Sequence, residues 1–293
     1  MGLWIDTDMG VDDLFAVLLV LQHREVDGLS LSFGNAPLPH VVGNAASAQA
    51  YFNWDIPIYA GADRAVLGTV ETAQHVLGET GMPSRGARLP MVEGDFPLAL
   101  PALMDWLESQ DNAEILALGP LTNIAILLLA RPDLTPKIAR LTWMGGGITR
   151  GNQTASAEFN AYADPEALAI VLSRGVPLTM VDLDACRRVE ITEADVTPIK
   201  HHLLRDLLGG YLDIALTRGR PAMALYDPVA AAVSVRPDLF TLAPAQIEVE
   251  LAGQHTRGRT IVDQRDPSKA NGMIITDLHS EAVKTLCLSA LDI

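Results

Sequence analysis

Cysteine is nearly absent: the 293-residue chain has two, Cys186 and Cys287, far apart and not spaced as a metal-binding pair. That excludes a disulfide framework or zinc ribbon, and two buried thiols in a reducing compartment are expected. Basic residues are scarce too. Lys and Arg number 21 against 36 Asp and Glu, a net charge of -15 with no Lys/Arg-rich tract. Phosphates would be repelled, so nucleic acid is not an expected partner. No apolar run approaches the roughly 20 residues of a membrane-spanning helix; the runs at 14–21 and 124–130 are far shorter. The first apolar segment begins almost at Met1, leaving no room for a signal peptide, so a soluble cytoplasmic protein is expected. Ser/Gly linkers, internal repeats, a Ser-His-Asp order and a Walker-type phosphate loop are all missing.

What the chain does have is apolar content, 49% hydrophobic residues at a mean hydropathy of +0.21, enough for a large core. It also has an unusual beginning. Asp6, Asp8, Asp12 and Asp13 fall within eight residues at the end of the apolar run Leu3-Trp4-Ile5. That run reads as a buried strand and residues 14–21 as a helix, so the acids sit on a strand-to-helix turn, with Gly10 permitting the bend. One or two acids suit the first turn of any helix. Four repel one another unless protons or a cation neutralise them, and hard oxygen ligands on a bend suit Ca²⁺ or Mg²⁺.

Strands are expected at 28–33, 57–60, 114–118, 139–144 and 176–181, alternating with helices at 41–53, 98–109 and after Pro120. A further helix opens at Asp164-Pro165-Glu166, with Asp as N-cap and Pro at the first helical position. Residues 62–96, rich in Gly and Pro, read as a long surface excursion. Residues 193–235 turn mostly helical, with a break at Gly209-Gly210; strands at 246–251, 259–262 and 273–275 and a helix at 277–290 follow. The pattern predicts one α/β domain over residues 1–293: an open, mostly parallel, doubly wound sheet with a helical insertion near the C-terminal third.

Parallel strands bring their carboxyl ends to one edge. Five clusters should meet there: the four acids, Gly34-Asn35, residues 118–123, Asn152 with Glu158-Phe159-Asn160, and Tyr226-Asp227-Pro228. Carboxylates around a hard cation, with carboxamides alongside, suit a substrate carrying several hydroxyls.

Asp6-Thr7-Asp8-Met9-Gly10-Val11-Asp12-Asp13 resembles the amino-terminal DxDxGxDD fingerprint of the inosine-uridine nucleoside hydrolase family. The likeness continues through Gly34-Asn35, the Gly119-to-Asn123 segment, Met144 with its three glycines, Ser156-Ala157-Glu158-Phe159-Asn160, Ala163-to-Glu166 and Asp227. It implies hydrolysis of an N-ribosidic bond to ribose and free base on a Ca²⁺-bearing α/β fold. By position, Asp8, Asp13, Asp227 and the backbone carbonyl of Leu118 would hold the ion, and the ribose 2′- and 3′-hydroxyls and a water would complete its shell. Asp8 would take the proton from that water. Asp12, Asn35 and Asn160 would bind ribose and water, Asn152 and Glu158 the 5′-hydroxyl, and Phe159 would line the pocket. Asp6 would orient the others. The resemblance also implies a nucleoside as partner, a role in purine or pyrimidine salvage, and a homodimer or homotetramer.

Two positions depart from the family pattern. Tyr226 stands where members often place a His before the last acid, and Leu77 where a second His often precedes Gly-x-Thr-Gly. Tyr226 would then be the candidate donor to the leaving base, with His75, His201, His202, Arg218 and Arg220 as others. Two alternatives remain. One is a relative that binds ribosides or another polyol without hydrolysis. The other is an aspartyl-nucleophile phosphatase suggested by Asp6-Thr7-Asp8, against which stands Gly10 where that class has Thr or Val.

Overall fold

Leu3, Trp4 and Ile5 send alternate side chains to opposite faces of the first strand, β1 (Leu3–Thr7). Leu3 and Ile5 join an apolar cluster with Leu29, Leu31 and Leu116, whereas Trp4 joins a second with Ile115, Leu141 and Trp143. Both faces of the strand are therefore covered, as parallel strands require. The computed structural model describes residues 2–293. The other strands are β2 (Gly28–Leu31), β3 (Ile58–Ala60), β4 (Ala113–Ala117), β5 (Ile138–Met144), β6 (Leu178–Val181), β7 (Glu190–Ile191), β8 (Met223–Ala224), β9 (Phe240–Val249), β10 (Thr260–Asp263) and β11 (Gly272–Leu278).

Nine of these form one sheet in the order β10-β9-β11-β6-β5-β4-β1-β2-β3. The run from β11 to β3 is parallel, and β9 pairs antiparallel with both β11 and β10. From β1 the chain winds outward through β2 and β3, then returns to β4 on the other side and winds through β5 to β6. The direction of winding reverses between β1 and β4, which is where such sheets open a crevice for ligands. Helices Val11–Leu21, Leu38–Phe52, His202–Leu216 and Asp227–Val235 cover one face; Ala99–Ser109, Thr122–Ala130 and Pro165–Ser173 cover the other. This is the mostly parallel α/β sheet expected. No helix among the described residues is long and apolar enough to cross a membrane.

Four local expectations are corrected. Helix His202–Leu216 runs unbroken through Gly209 and Gly210. A Cβ on Gly210 would lie 2.4 Å from the Ser84 backbone nitrogen, so glycine serves close approach of the 83–84 backbone, not a break. At Gly10, φ is -92°, open to any residue; the turn is carried by Met9 at φ +21°, and Gly10 instead leaves room for Asn35. Residues 62–96 are not simply a surface excursion. Ala65, Ala73, Leu77 and Met82 are buried, residues Gln74–Leu77 form a short helix, and Gly81 accepts a hydrogen bond from Val11 N at 3.1 Å. Finally, the mostly helical stretch includes β8, which pairs antiparallel with β7 just before the stretch begins, a ladder too short to leave a period-two signature.

Candidate active site

The acidic turn is held by donors from its own residues and from Asn35. Thr7 Oγ1 donates to Asp13 Oδ1 at 2.5 Å, and Gly10 N and Asn35 Nδ2 donate to Asp13 Oδ2 at 2.9 and 2.7 Å. Asn35 N also donates to Asp8 Oδ2 at 2.5 Å. Asn35 thus clamps Asp8 and Asp13 together from the loop that follows β2. The Tyr211 hydroxyl lies 3.2 Å from Asp12 Oδ2 and 3.0 Å from the Ala224 carbonyl. Asp6 faces away from the cleft. Its Oδ1 accepts from Ser30 and, at 2.8 Å, from Asn123 Nδ2, which also reaches the Leu31 carbonyl at 3.1 Å. Its Oδ2 is buried without a partner, and burial pushes the carboxyl up to about 7.

Asp227 lies 214 positions beyond Asp13 in the chain, yet opens helix Asp227–Val235 with Pro228 in its first turn. That helix packs on Val11–Leu21, so two helix amino termini point at the acids, where their dipoles favour negative charge. Asp12, Asp13 and Asp227 are buried and present carboxylate oxygens all within 4.8 Å of one another. Asp13 is also within reach of Asp8. Burial, reinforced by neighbouring carboxylates, raises Asp8 and Asp227 well above the usual carboxylate range and Asp12 to about 7. None of Asp8, Asp12, Asp13 or Asp227 is ion-paired with a basic residue among the described ones. Such a group holds protons or holds a cation. An all-oxygen donor set suits a hard divalent ion. The Leu118 carbonyl, which accepts from Asn160 Nδ2 at 2.7 Å, keeps a second lone pair.

A cleft of about 290 Å³ opens over these groups. Asp8, Asp12, Asn35, Leu118, Asn152, Glu158, Phe159, Asn160, Tyr226 and Asp227 all line it, while Asp13 sits fully buried beneath, in contact with its neighbours. The expected site residues therefore meet at one place. Two details differ from their expected arrangement. Asp12, assigned to the sugar, belongs to the tight carboxylate trio, and Asp8 lies just outside it. Glu158 caps helix Phe159–Ala163: Oε1 accepts from Asn160 N at 2.8 Å, and Oε2 from Gly146 N at 2.8 Å and Ala161 N at 2.9 Å. Burial pushes its carboxyl up to about 7. Asn152 Oδ1 accepts from Phe159 N at 2.9 Å, and Asn160 Nδ2 reaches the Met144 carbonyl at 3.0 Å, so these side chains also set the loop. Tyr226 is half-buried, and the desolvation lifts its phenol to about 12.

The other candidates separate cleanly. His75 is exposed and outside the cleft; His201 packs edge-on to Tyr51, and His202 faces Asp206 at 3.7 Å. Arg218 and Arg220 do line the cleft. Sequence reasoning missed Tyr211, Arg150 and Arg187 there: Tyr211 lies within a leucine-rich helical pattern, and nothing in the local sequence distinguishes the two arginines from surface residues.

The chain matches the family model described as inosine-uridine preferring nucleoside hydrolase over residues 3–285. It is 34% identical over 273 residues to the non-specific ribonucleoside hydrolase RihC of Shigella flexneri, covering 89% of this chain and 88% of that protein. It is 31% identical over 301 residues to the pyrimidine-specific ribonucleoside hydrolase RihA of Escherichia coli, covering 98% and 97%. Among solved structures, the purine-preferring ribonucleoside hydrolase from Gardnerella vaginalis superposes with a TM-score of 0.91 at 25% identity, covering 100% of this chain and 98% of that one. With its acidic turn, its sheet order and this match over nearly the whole length, the chain belongs to the inosine-uridine preferring nucleoside hydrolase family, whose members hydrolyse N-glycosyl bonds.

Proposed function

We propose that this chain hydrolyses ribonucleosides to ribose and free base in a calcium-dependent reaction, with Asp8 as general base. The observation that supports it most is the gathering of buried carboxylates, without basic partners, beneath a cleft lined by carboxamides. The bond that breaks joins ribose C1′ to a ring nitrogen, and its electron pair leaves with the base. Positive charge then develops on the sugar, as in other glycoside hydrolyses. The acidic floor of the cleft stabilises that charge in a preorganised site.

Asp8 has one oxygen fixed by Asn35 N, which leaves the other to accept the proton of the attacking water. Burial raises its affinity for a proton well above that of an ordinary carboxylate, which suits a base. When bound, the cation would be held by Asp8, Asp13, Asp227 and the Leu118 carbonyl, and would supply positive charge that makes water more acidic, less for calcium than for zinc. Asp12, Asn35 and Asn160 contact the ribose hydroxyls; Asn152 and Glu158 hold the 5′-hydroxyl against Phe159. Tyr226 donates its hydroxyl hydrogen to the departing base.

The experiment is a turnover panel of uridine, cytidine, inosine, adenosine and guanosine, with calcium and with chelator. Reducing-sugar release that chelator stops and calcium restores, and that falls on the order of a thousandfold in Asp8→Ala, is the expected result. No turnover of any of the five by calcium-loaded protein would overturn it. Tyr226 and Leu77, where the resemblance leads one to expect histidine, favour a second reading: tight riboside binding without cleavage would establish a binding protein instead.

A further inference from the structure

The cleft has a floor of one charge and a rim of the other. Arg218 and Arg220 line it together with Tyr226, Ile214 and Met223, away from the acidic turn in sequence. Both guanidiniums come from the turn that closes helix His202–Leu216. Arg220 N donates to the Ala215 carbonyl at 3.0 Å and Gly219 N to the Leu216 carbonyl at 3.0 Å, with Gly219 at φ +72°. This pair of bonds is a Schellman closure, which fixes the backbone of both arginines.

Arginine at a helix carboxyl terminus is common, because it suits the dipole and the last carbonyls. That explanation accounts for the residue type but not for the placement. In a chain with 36 acidic residues, Arg24, Arg85, Arg131, Arg236, Arg257 and Arg265 each pair with a carboxylate. The side chains of Arg218 and Arg220 have neither an ion pair nor a hydrogen bond among the described residues. Arg220 also lies close enough to Tyr226 for its charge to favour the ionised phenol, as does that of Arg187. Arg187 is already committed: its Nη2 donates to the Gly151 carbonyl at 3.0 Å, and it faces Asp184 at 3.7 Å. Arg150, Arg218 and Arg220 are the uncommitted cations of the cleft lining among the described residues, and of these Arg220 is the one whose charge reaches Tyr226, with Arg218 two residues before it on the same turn.

Resting on the hydrolase reading, we propose that Arg218 and Arg220 stabilise the negative charge that gathers on the departing base, the task for which no imidazole lines this cleft. Breaking the carbon–nitrogen bond heterolytically separates charge, positive on the ribosyl ring and negative on the base nitrogen. Buried acids and exposed guanidiniums lining one cleft suit that separation. The proton that finally neutralises the base comes from the Tyr226 hydroxyl, and the arginines change no protonation state. The substrates that gain most are nucleosides whose bases are poor leaving groups.

The test uses full-length, calcium-loaded protein and the variants Arg218→Gln, Arg220→Gln, the double variant and Arg220→Lys. Uridine and inosine are compared with p-nitrophenyl β-D-ribofuranoside, whose leaving group departs as a stable phenolate without help. For the nucleosides, kcat should fall on the order of tenfold to a hundredfold in the double variant. The nucleoside-to-nitrophenyl ratio of kcat should fall at least about tenfold, and Arg220→Lys should recover part of the loss relative to Arg220→Gln. Equal losses on both substrate types, or unchanged nucleoside kcat in the double variant, would overturn the assignment. If the unaltered protein cleaves none of the three ribosides, the hydrolase reading itself falls, and this assignment with it.

Discussion

Cation binding at the acidic turn should depend on pH in a way that the burial of its carboxylates sets. Asp12 holds its proton up to about pH 7, because burial and the neighbouring Asp13 disfavour its anion. A divalent ion held by Asp8, Asp13 and Asp227 would favour the anion of Asp12, whose carboxylate lies within 4.8 Å of those of Asp13 and Asp227. At pH 8 roughly nine-tenths of Asp12 is ionised, and at pH 6 roughly one-tenth, so this residue alone weakens binding on the order of tenfold between the two, about 1.4 kcal/mol. Asp8 and Asp227 are displaced in the same direction, so tenfold is a lower bound. The assay is calorimetric titration of chelator-stripped protein with calcium at both pH values, in two buffers of different ionisation enthalpy to count released protons. At pH 6 close to one proton or more should leave per ion bound. Asp12→Asn should flatten the dependence. Equal affinities at pH 6 and 8, or no proton release, would refute the reasoning, because the acids would then be ionised without the ion.

The metal-free protein should be more stable near pH 5.5 than near pH 8. Asp6 and Glu158 keep protons to about 7 when folded, above ordinary values of 3.8 and 4.5, so the folded state binds more protons and stability is lost as pH rises through that window. Urea midpoints in chelator should fall accordingly, reporting a loss of up to a few kcal/mol of stability, and an increase would contradict it. Gly210→Ala should destabilise by about 1–3 kcal/mol, although alanine is ordinarily the better helix residue by about 1 kcal/mol, because its Cβ would press on Ser84 backbone; a raised melting temperature would show the loop gives way. Arg24→Ala should cost about 1–3 kcal/mol, since Glu114, buried on β4, would keep only Arg140, at 2.9 Å, as counter-charge. Its unfolding midpoint compared with that of Arg24→Ala/Glu114→Gln tests this, the double variant recovering part of the loss.

The acids at residues 6–13 were legible because a β-to-α turn fixes where they must lie: the strand period shows in Leu3 to Ile5, and parallel topology carries the ends of β2, β4 and β5 to the same edge. Asp227 was legible for the same reason, through the Pro that follows it. What the sequence hid was of three kinds. Gly210 looked like a helix breaker because a glycine's neighbour across space, here Ser84, leaves no mark in the local pattern. The two-residue strands β7 and β8 are shorter than any period. Tyr211 reads as one more apolar residue of its helix, and its hydroxyl finds Asp12 only because the helix docks against the acidic turn. The irregular 62–96 stretch concealed cleft-lining Ala73 and Val76, since chain without periodicity gives no inside or outside; Leu77 surfaced only through the resemblance.

The carboxylate trio draws two members from residues 12 and 13 and its third from residue 227. A nascent chain therefore carries two of these three carboxylates through most of its synthesis, with nothing to complete the proposed ion site. The grip is completed only when helix Asp227–Val235 emerges and docks on Val11–Leu21. Calcium would then act as a late clasp that rewards the correct joining of distant segments, and a chain cut short before Asp227 would have little reason to bind it.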